Sequence, residues 1–216
     1  MKTEKLIIIG AGNSIDEIYP IVMNNKSNID YKVVGIVDDD KKYFKKSYKG
    51  IPIHIGLEKV KKFKDTKFIF GIGSYNNKNI REKIFKKMKI SKSYFPNFIH
   101  SSVIIEDNVK MGFGNILYPF TTICSGTKLE DFSMLTYSCI VAHNVKIKSF
   151  SLFGSRTSIL NNTNIGKNVF CGASVLFAEN LKIGDSSSII FGSTVIHNIP
   201  KGKTVYGNPG EIINYG

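Results

Sequence analysis

An apolar residue recurs at every sixth position from Ile105 to Val195. The series is Ile105, Met111, Leu117, Ile123, Leu129, Leu135, Val141, Ile147, Phe153, Ile159, Ile165, Cys171, Phe177, Ile183, Ile189 and Val195, with Ile99 extending it upstream and no insertion breaking it. In a chain that is 42% hydrophobic, an uninterrupted run of that length arises by chance with a frequency on the order of one in a million. A period of six matches neither the turn of a helix nor the two-residue alternation of a strand. It fits short strands separated by corners. Small or β-branched residues stand two positions before most members, as at Thr121, Thr127, Ser133 and Cys139. Glycine stands one position after five of them, at Gly112, Gly154, Gly166, Gly172 and Gly184, and is expected to permit the corner turn. Three hexads, 18 residues, then close one triangular coil that stacks about 4.8 Å above the last. The apolar series fills the inside of a three-walled prism over residues 99–200.

The N-terminal part reads differently. Residues 5–9 (KLIII) form a buried strand that runs into Gly10-Ala11-Gly12-Asn13-Ser14, followed by an amphipathic helix over Ile15 to Asn24. A second strand, Tyr31 to Val37, ends in Asp38-Asp39-Asp40. A third, Lys67 to Phe70, ends in Gly71-Ile72-Gly73-Ser74 and leads to a helix over Asn79 to Met88. Strand, glycine turn, helix, then a strand ending in acid is a Rossmann-like nucleotide-binding pattern. Its glycines admit a phosphate to backbone amides at a helix N-terminus, and the acid suits a ribose or base. Gly10, Gly12, Asn13, Ser14, Asp38, Asp39 and Gly73 are the candidate substrate-binding residues. The third glycine of the dinucleotide fingerprint is missing, with Ile15 in its region, and the module is short. The missing glycine weakens the motif, and the short length points to a mononucleotide or a nucleotide-sugar rather than a dinucleotide. We therefore divide the chain into an α/β nucleotide-sugar-binding module at 1–95 and a β-helix domain at 96–216.

The net charge of +13 sits mainly in the first 100 residues, where 21 Lys and Arg face 10 Asp and Glu. The lysines are dispersed as pairs over amphipathic stretches without a compact aromatic-interleaved patch, which argues against a nucleic-acid binder. A positive field still favours phosphorylated small molecules. No apolar run reaches the ~18 residues of a membrane span, and the apolar stretch Leu6 to Ile9 is too short for a signal peptide. The expected location is the cytoplasm. Cys124, Cys139 and Cys171 fit neither a disulfide framework nor a zinc site and read as small buried residues. Of the four histidines, His143 alone stands at a corner near the middle of the repeat. No metal site is expected, because His197 lies three coils away, roughly 14 Å along the edge.

Together these pieces resemble the bacterial family of sialic acid O-acetyltransferases and nucleotide-linked 4-amino-sugar N-acetyltransferases. The resemblance spans nearly the whole chain. It is carried by Ile9-Gly10-Ala11-Gly12, Asp38-Asp39, Gly71-Ile72-Gly73 with Arg81, Phe95-Pro96-Asn97-Phe98-Ile99-His100, His143, and the closing Val205-Tyr206-Gly207-Asn208-Pro209. It implies a left-handed parallel β-helix, a homotrimer with sites between neighbouring prisms, and acetyl-CoA as co-substrate with no metal. His143 matches the family's general base, and Asn144 replaces the acid that often follows it. The resemblance places the oxyanion-binding amide at Asn161, one coil beyond His143, and coenzyme-lining positions at Ala173 and Phe191. The expected activity is N-acetylation of a nucleotide-linked amino sugar, of the 4-amino-4,6-dideoxy class, for surface glycan synthesis. The alternatives are O-acetylation of sialic acid or a related sugar, and a non-catalytic sugar-nucleotide-binding scaffold.

Overall fold

The computed structural model describes residues 2–63, 65–73 and 77–213 of the 216 in the chain; Ser74, at the end of the second glycine turn, lies outside them. The N-terminal module consists of β1 (Lys2–Ile9), α1 (Ile15–Met23), β2 (Ile29–Asp38), β3 (Ser47–Tyr48), β4 (Ile51–Ile55), β5 (Thr66–Phe70) and α2 (Ile80–Met88). Its sheet has the order β3-β4-β2-β1-β5. All pairs are parallel except the short β3–β4 hairpin. Leu6 to Ile9 of β1 are fully buried, as a continuous apolar run in the centre of a parallel sheet must be. The order β2-β1-β5 brings the chain turns after Ile9, Asp38 and Phe70 to one edge of the sheet, where open α/β sheets bind ligands.

From Phe98 to Val195 the chain is a left-handed β-helix of two-residue strands, one per hexad, in sheets of six, six and five such strands; two three-residue strands, Thr204–Tyr206 and Glu211–Ile213, extend the first sheet to eight, the last of them antiparallel. Every sixth-position residue from Leu117 to Val195 is at most 3% exposed. Ile105 and Met111 are only partly buried because they lie near the open end of the prism. Coils are joined by backbone bonds such as Thr122 N–H to Cys139 O, Ile140 N–H to Thr157 O and Ser158 N–H to Val175 O, each 2.9 Å. The small residues two positions upstream add a second set of links. The buried hydroxyls of Thr127, Ser151 and Thr163 each donate, at 2.9 Å, to a carbonyl of the next coil. A hydroxyl in this interior needs such a partner, and threonine and serine are the residues that supply it at that size.

The corner turns correct one expectation. Gly112, Gly154, Gly166, Gly172 and Gly184 do not have positive φ. The left-handed residue falls two positions later, at every sixth residue from Asn108 to Gly192, and is Asn at five of these fifteen positions and Ser, Phe or Gly at three each. The five glycines answer a different demand, close approach of the next coil. A Cβ on Gly154 would stand 2.5 Å from the Ala173 nitrogen, and one on Gly172 would stand 2.5 Å from the Phe191 nitrogen.

The three faces of the prism carry different outward residues. On the first, Phe98, Ile116 and Met134 are buried beneath the α/β module. The second presents Ile104, Thr122, Ile140, Ser158, Leu176 and Thr194, uncharged throughout and with the three aliphatics 39–60% exposed. The third presents Lys110, Lys128, Lys146, Asn164 and Lys182, with every lysine exposed. The module is fixed to the first face by α2. The buried Arg81 guanidinium donates to the Phe132, Phe150 and Ser151 carbonyls at 2.9, 2.8 and 3.2 Å. Phe132 and Phe150, both at left-handed corners, stack at 4.8 Å and pack on Phe85 of α2. Burying these rings compensates for the backbone cost of a bulky residue at positive φ. Among the described residues no helix is long and apolar enough to cross a membrane.

Gly154→Ala is expected to lower stability by about 1–3 kcal/mol, because the added methyl meets backbone that cannot rotate aside. Chemical denaturation measures it; an unchanged midpoint contradicts the close-approach account.

Candidate active site

Two features of the structure bear on chemistry: a groove on the α/β module and an edge of the prism. The groove follows the ends of β1, β2 and β5. One part, about 420 Å³, is lined by Gly10, Gly12, Asn13, Ser14, Asp38 and Gly73 among others. It continues into a part of about 310 Å³ that Asp39 also lines, walled by Val37, Leu57, Ile72 and Ile84. All seven residues expected at a substrate site therefore lie along one groove. Their roles within it differ. Gly10 has φ of 109° and faces Ile72, so both its backbone and its space require glycine. Gly12 has neither requirement, since nothing lies within 4 Å of where a Cβ would be and its φ is ordinary. Gly73 turns toward the prism, with a Cβ there 3.0 Å from Leu152.

The acids brace the groove. Asp38 accepts the Ala11 N–H on one oxygen at 2.7 Å and the Asp40 N–H on the other at 2.8 Å, so it holds the glycine turn in place. Asp39 accepts the Leu57 N–H at 2.8 Å and Lys87 at 2.7 Å. Burial opposes the Asp39 charge, but Lys87 and the Leu57 N–H outweigh it and hold its carboxyl below the usual range.

His143 stands on the edge between the second and third faces, with its side chain 55% exposed. The stack on this edge, 18 residues per step, is Ser125, His143, Asn161 and Glu179. Its members are tied together: the His143 N–H donates to Asn161 Oδ1 at 3.0 Å, and Asn161 Nδ2 donates to Glu179 Oε1 at 2.8 Å. Asn144 occupies the left-handed corner position, φ 57°, with its side chain against Gly126. The carboxylate nearest the imidazole belongs to Glu106, two coils below, whose Oε2 lies 3.8 Å from His143 Nδ1 and accepts the Ser125 N–H at 2.8 Å. Among the described residues the Asn161 backbone N–H has no acceptor.

Sequence reading missed Glu106 and its neighbour Cys124. Cys139 and Cys171 are buried as expected, but Cys124 is only half-buried. Burial and the adjacent Glu106 carboxylate push its thiol upward from the ordinary range, so it stays protonated near neutrality. The signal available was the 18-residue spacing of Glu106 and Cys124, which places one over the other on the edge that carries His143. Ala173 and Phe191 also stack, with the Gly192 N–H bonded to the Ala173 carbonyl at 2.9 Å. They lie on a different edge from His143, the one between the first and second faces, where Phe120 and Phe191 are each 69% exposed. One chain does not bring these two stacks together.

Residues 5–88 match the PglD N-terminal domain family. No curated protein sequence matches the chain significantly. Among solved structures, the chain is similar to the acetyltransferase domain of PglB from Neisseria gonorrhoeae in complex with acetyl coenzyme A. That match has 19% identity and a TM-score of 0.83, and covers 98% of this chain and 100% of that one. It is also similar to a variant of perosamine N-acetyltransferase from Caulobacter crescentus in complex with CoA and GDP-perosamine, at 17% identity and a TM-score of 0.83, covering 98% and 97% of the two chains. WeeI from Acinetobacter baumannii matches at 23% identity and a TM-score of 0.82, covering 98% and 100%. At these identities the likeness establishes the shared two-part fold.

Replacing Asp38 with alanine leaves two loop N–H groups without acceptors and is expected to cost about 1–3 kcal/mol. Thermal unfolding reads the loss; full stability in that variant contradicts the bracing role.

Proposed function

We propose that this chain is an acetyl-CoA-dependent N-acetyltransferase that acts on a nucleotide-linked amino sugar, of the 4-amino-4,6-dideoxy class, in cytoplasmic steps of surface glycan synthesis. The observation that carries the proposal is the His143 edge. An accessible imidazole, with a carboxylate on its Nδ1 side, stands one coil from a backbone N–H, that of Asn161, with no acceptor among the described residues. A base and an oxyanion donor are what direct acyl transfer from a thioester requires. Support for the substrates comes from the relatives, one solved with acetyl coenzyme A and another with CoA and GDP-perosamine.

In this reading the nucleotide lies in the module groove and the sugar amine reaches the prism edge. The amine attacks the thioester carbonyl, and His143 Nε2 takes its proton. Glu106, as a positioning residue, faces the Nδ1 side of the ring and leaves Nε2 turned outward. The Asn161 N–H receives the developing oxyanion. Collapse of the tetrahedral intermediate expels the CoA thiolate, which regains a proton from the imidazolium. Asn144 holds the corner backbone that aims His143.

The second face supports assembly as a homotrimer. It is uncharged, while the third face carries the lysines and the first is covered. Three prisms with their second faces inward would bring the His143 edge of one copy beside the Ala173 and Phe191 edge of the next, with the coenzyme between them.

A thiol-release screen over nucleotide-linked 4-amino sugars and free sialic acid tests the proposal. Release with the amino sugars supports it; release only with sialic acid, or with neither, overturns it. His143→Ala is expected to lose about 10²–10⁴-fold in kcat, with coenzyme binding kept. Glu106→Gln, which alters an exposed pair, is expected to lower kcat by about 2- to 5-fold at constant KM. Gly12→Leu is expected to raise KM for the sugar nucleotide about tenfold or more, the effect of losing 1.4 kcal/mol or more of binding. It should leave the unfolding temperature and the KM for acetyl-CoA unchanged, because the space it fills is solvent. Equal losses for both substrates contradict the division of labour between module and prism.

A further inference from the structure

Glu106, Cys124 and His143 come from three successive coils and place one donor atom each at a common point. A carboxylate oxygen, a thiol sulfur and an imidazole nitrogen all lie within 4.8 Å of one another. We propose that these three residues form a Zn²⁺ site that switches off acetyl transfer by occupying the base.

The donor set selects the metal. Thiolate with imidazole and carboxylate suits zinc, whereas magnesium and calcium require oxygen ligands. Around tetrahedral zinc, with bonds of about 2.0–2.3 Å, donor atoms lie roughly 3.3–3.8 Å apart. The present separations, at most 4.8 Å, need to close by about 1.5 Å at most. Glu106 and His143 are exposed enough to make that movement by side-chain rotation alone. The corner backbone is already fixed by coil-to-coil bonds. Two contacts outside the donor set steady the ligands: the Ser125 N–H on Glu106 and the Asn161 side chain on the His143 N–H. With three protein ligands, the fourth position opens to solvent.

Binding converts the Cys124 thiol to a thiolate and releases its proton to water. Glu106 already faces Nδ1, 3.8 Å away, so Nδ1 is the nitrogen that ligates. Metal at Nδ1 displaces the proton that nitrogen carries in the free base, and the neutral ring then carries its one proton on Nε2. No lone pair remains on Nε2 to accept the proton of an attacking amine. The metal site stands on geometry alone, and its inhibitory effect rests on the function proposed above.

Cobalt provides the test, since Co²⁺ bound to a thiolate absorbs by charge transfer. Full-length protein treated with chelator is titrated with Co²⁺ and then with Zn²⁺. One equivalent per chain is expected to produce the thiolate band, and zinc to displace it. Cys124→Ser should abolish the band and weaken zinc by more than about 100-fold, the upper range for loss of outer-shell partners. The buried Cys139 and Cys171 cannot supply the band. In assays with zinc buffered against the product thiol, wild-type turnover should fall at least tenfold and recover with chelator. Cys124→Ser should turn over normally and resist zinc. Absence of the band, or its survival in Cys124→Ser, overturns the site; a saturated band with undiminished turnover overturns the switch. If the band behaves as expected but no acceptor releases thiol, the metal site stands and the proposed activity falls.

Discussion

Backbone hydrogen bonding from each coil to the next is the interaction on which every other feature of the prism depends. Bonds such as Ile140 N–H to Thr157 O fix neighbouring coils in register, and the buried Thr127, Ser151 and Thr163 hydroxyls repeat the link from inside. Residues 18 apart therefore superpose, whatever their side chains. This is how Ser125, His143, Asn161 and Glu179 become one stack, and how Glu106 and Cys124 come to lie beneath His143. A loop could not hold three such groups as tightly, because its backbone bonds would compete with solvent. The site is thus set by the same bonds that hold the fold.

Sorting of outward residues then gives each face a task. Apolar side chains on the first face bury the module, and Arg81 with its three carbonyl partners locks α2 to the corners at Phe132, Phe150 and Ser151. Burial pushes the Arg81 pKa down to about 10, still high enough to keep the guanidinium charged near neutrality. Lysines keep the third face in water. The uncharged second face lies between the two edges whose residues must meet if one coenzyme is to touch both.

The inward series was legible because burial alone dictates it: a side chain pointing into a closed prism must be apolar at every sixth position. Three of the module's five strands, its two helices and the glycine turn were legible for similar reasons, to within one or two residues at most ends; the short strands β3 and β4 were not. The purpose of the repeat glycines was not. A glycine after a strand reads as a turn, but whether φ or space demands it depends on the next coil, as at Gly154 and Gly172. Asp38 and Asp39 read as ligands for a ribose or base, while the structure engages their oxygens with loop N–H groups and Lys87. Glu106 escaped notice because its contact with His143 crosses two coils and one sequence position, a relation that no single-period pattern displays.

The account as a whole requires the two edges of the second face to meet across copies. A crystal structure of the protein with bound CoA tests this most directly. The account predicts the CoA sulfur beside His143 and the Asn161 N–H of one copy, with the rest of the coenzyme running against Ala173 and Phe191 of its neighbour. CoA held by a single chain, away from the His143 edge, would contradict it.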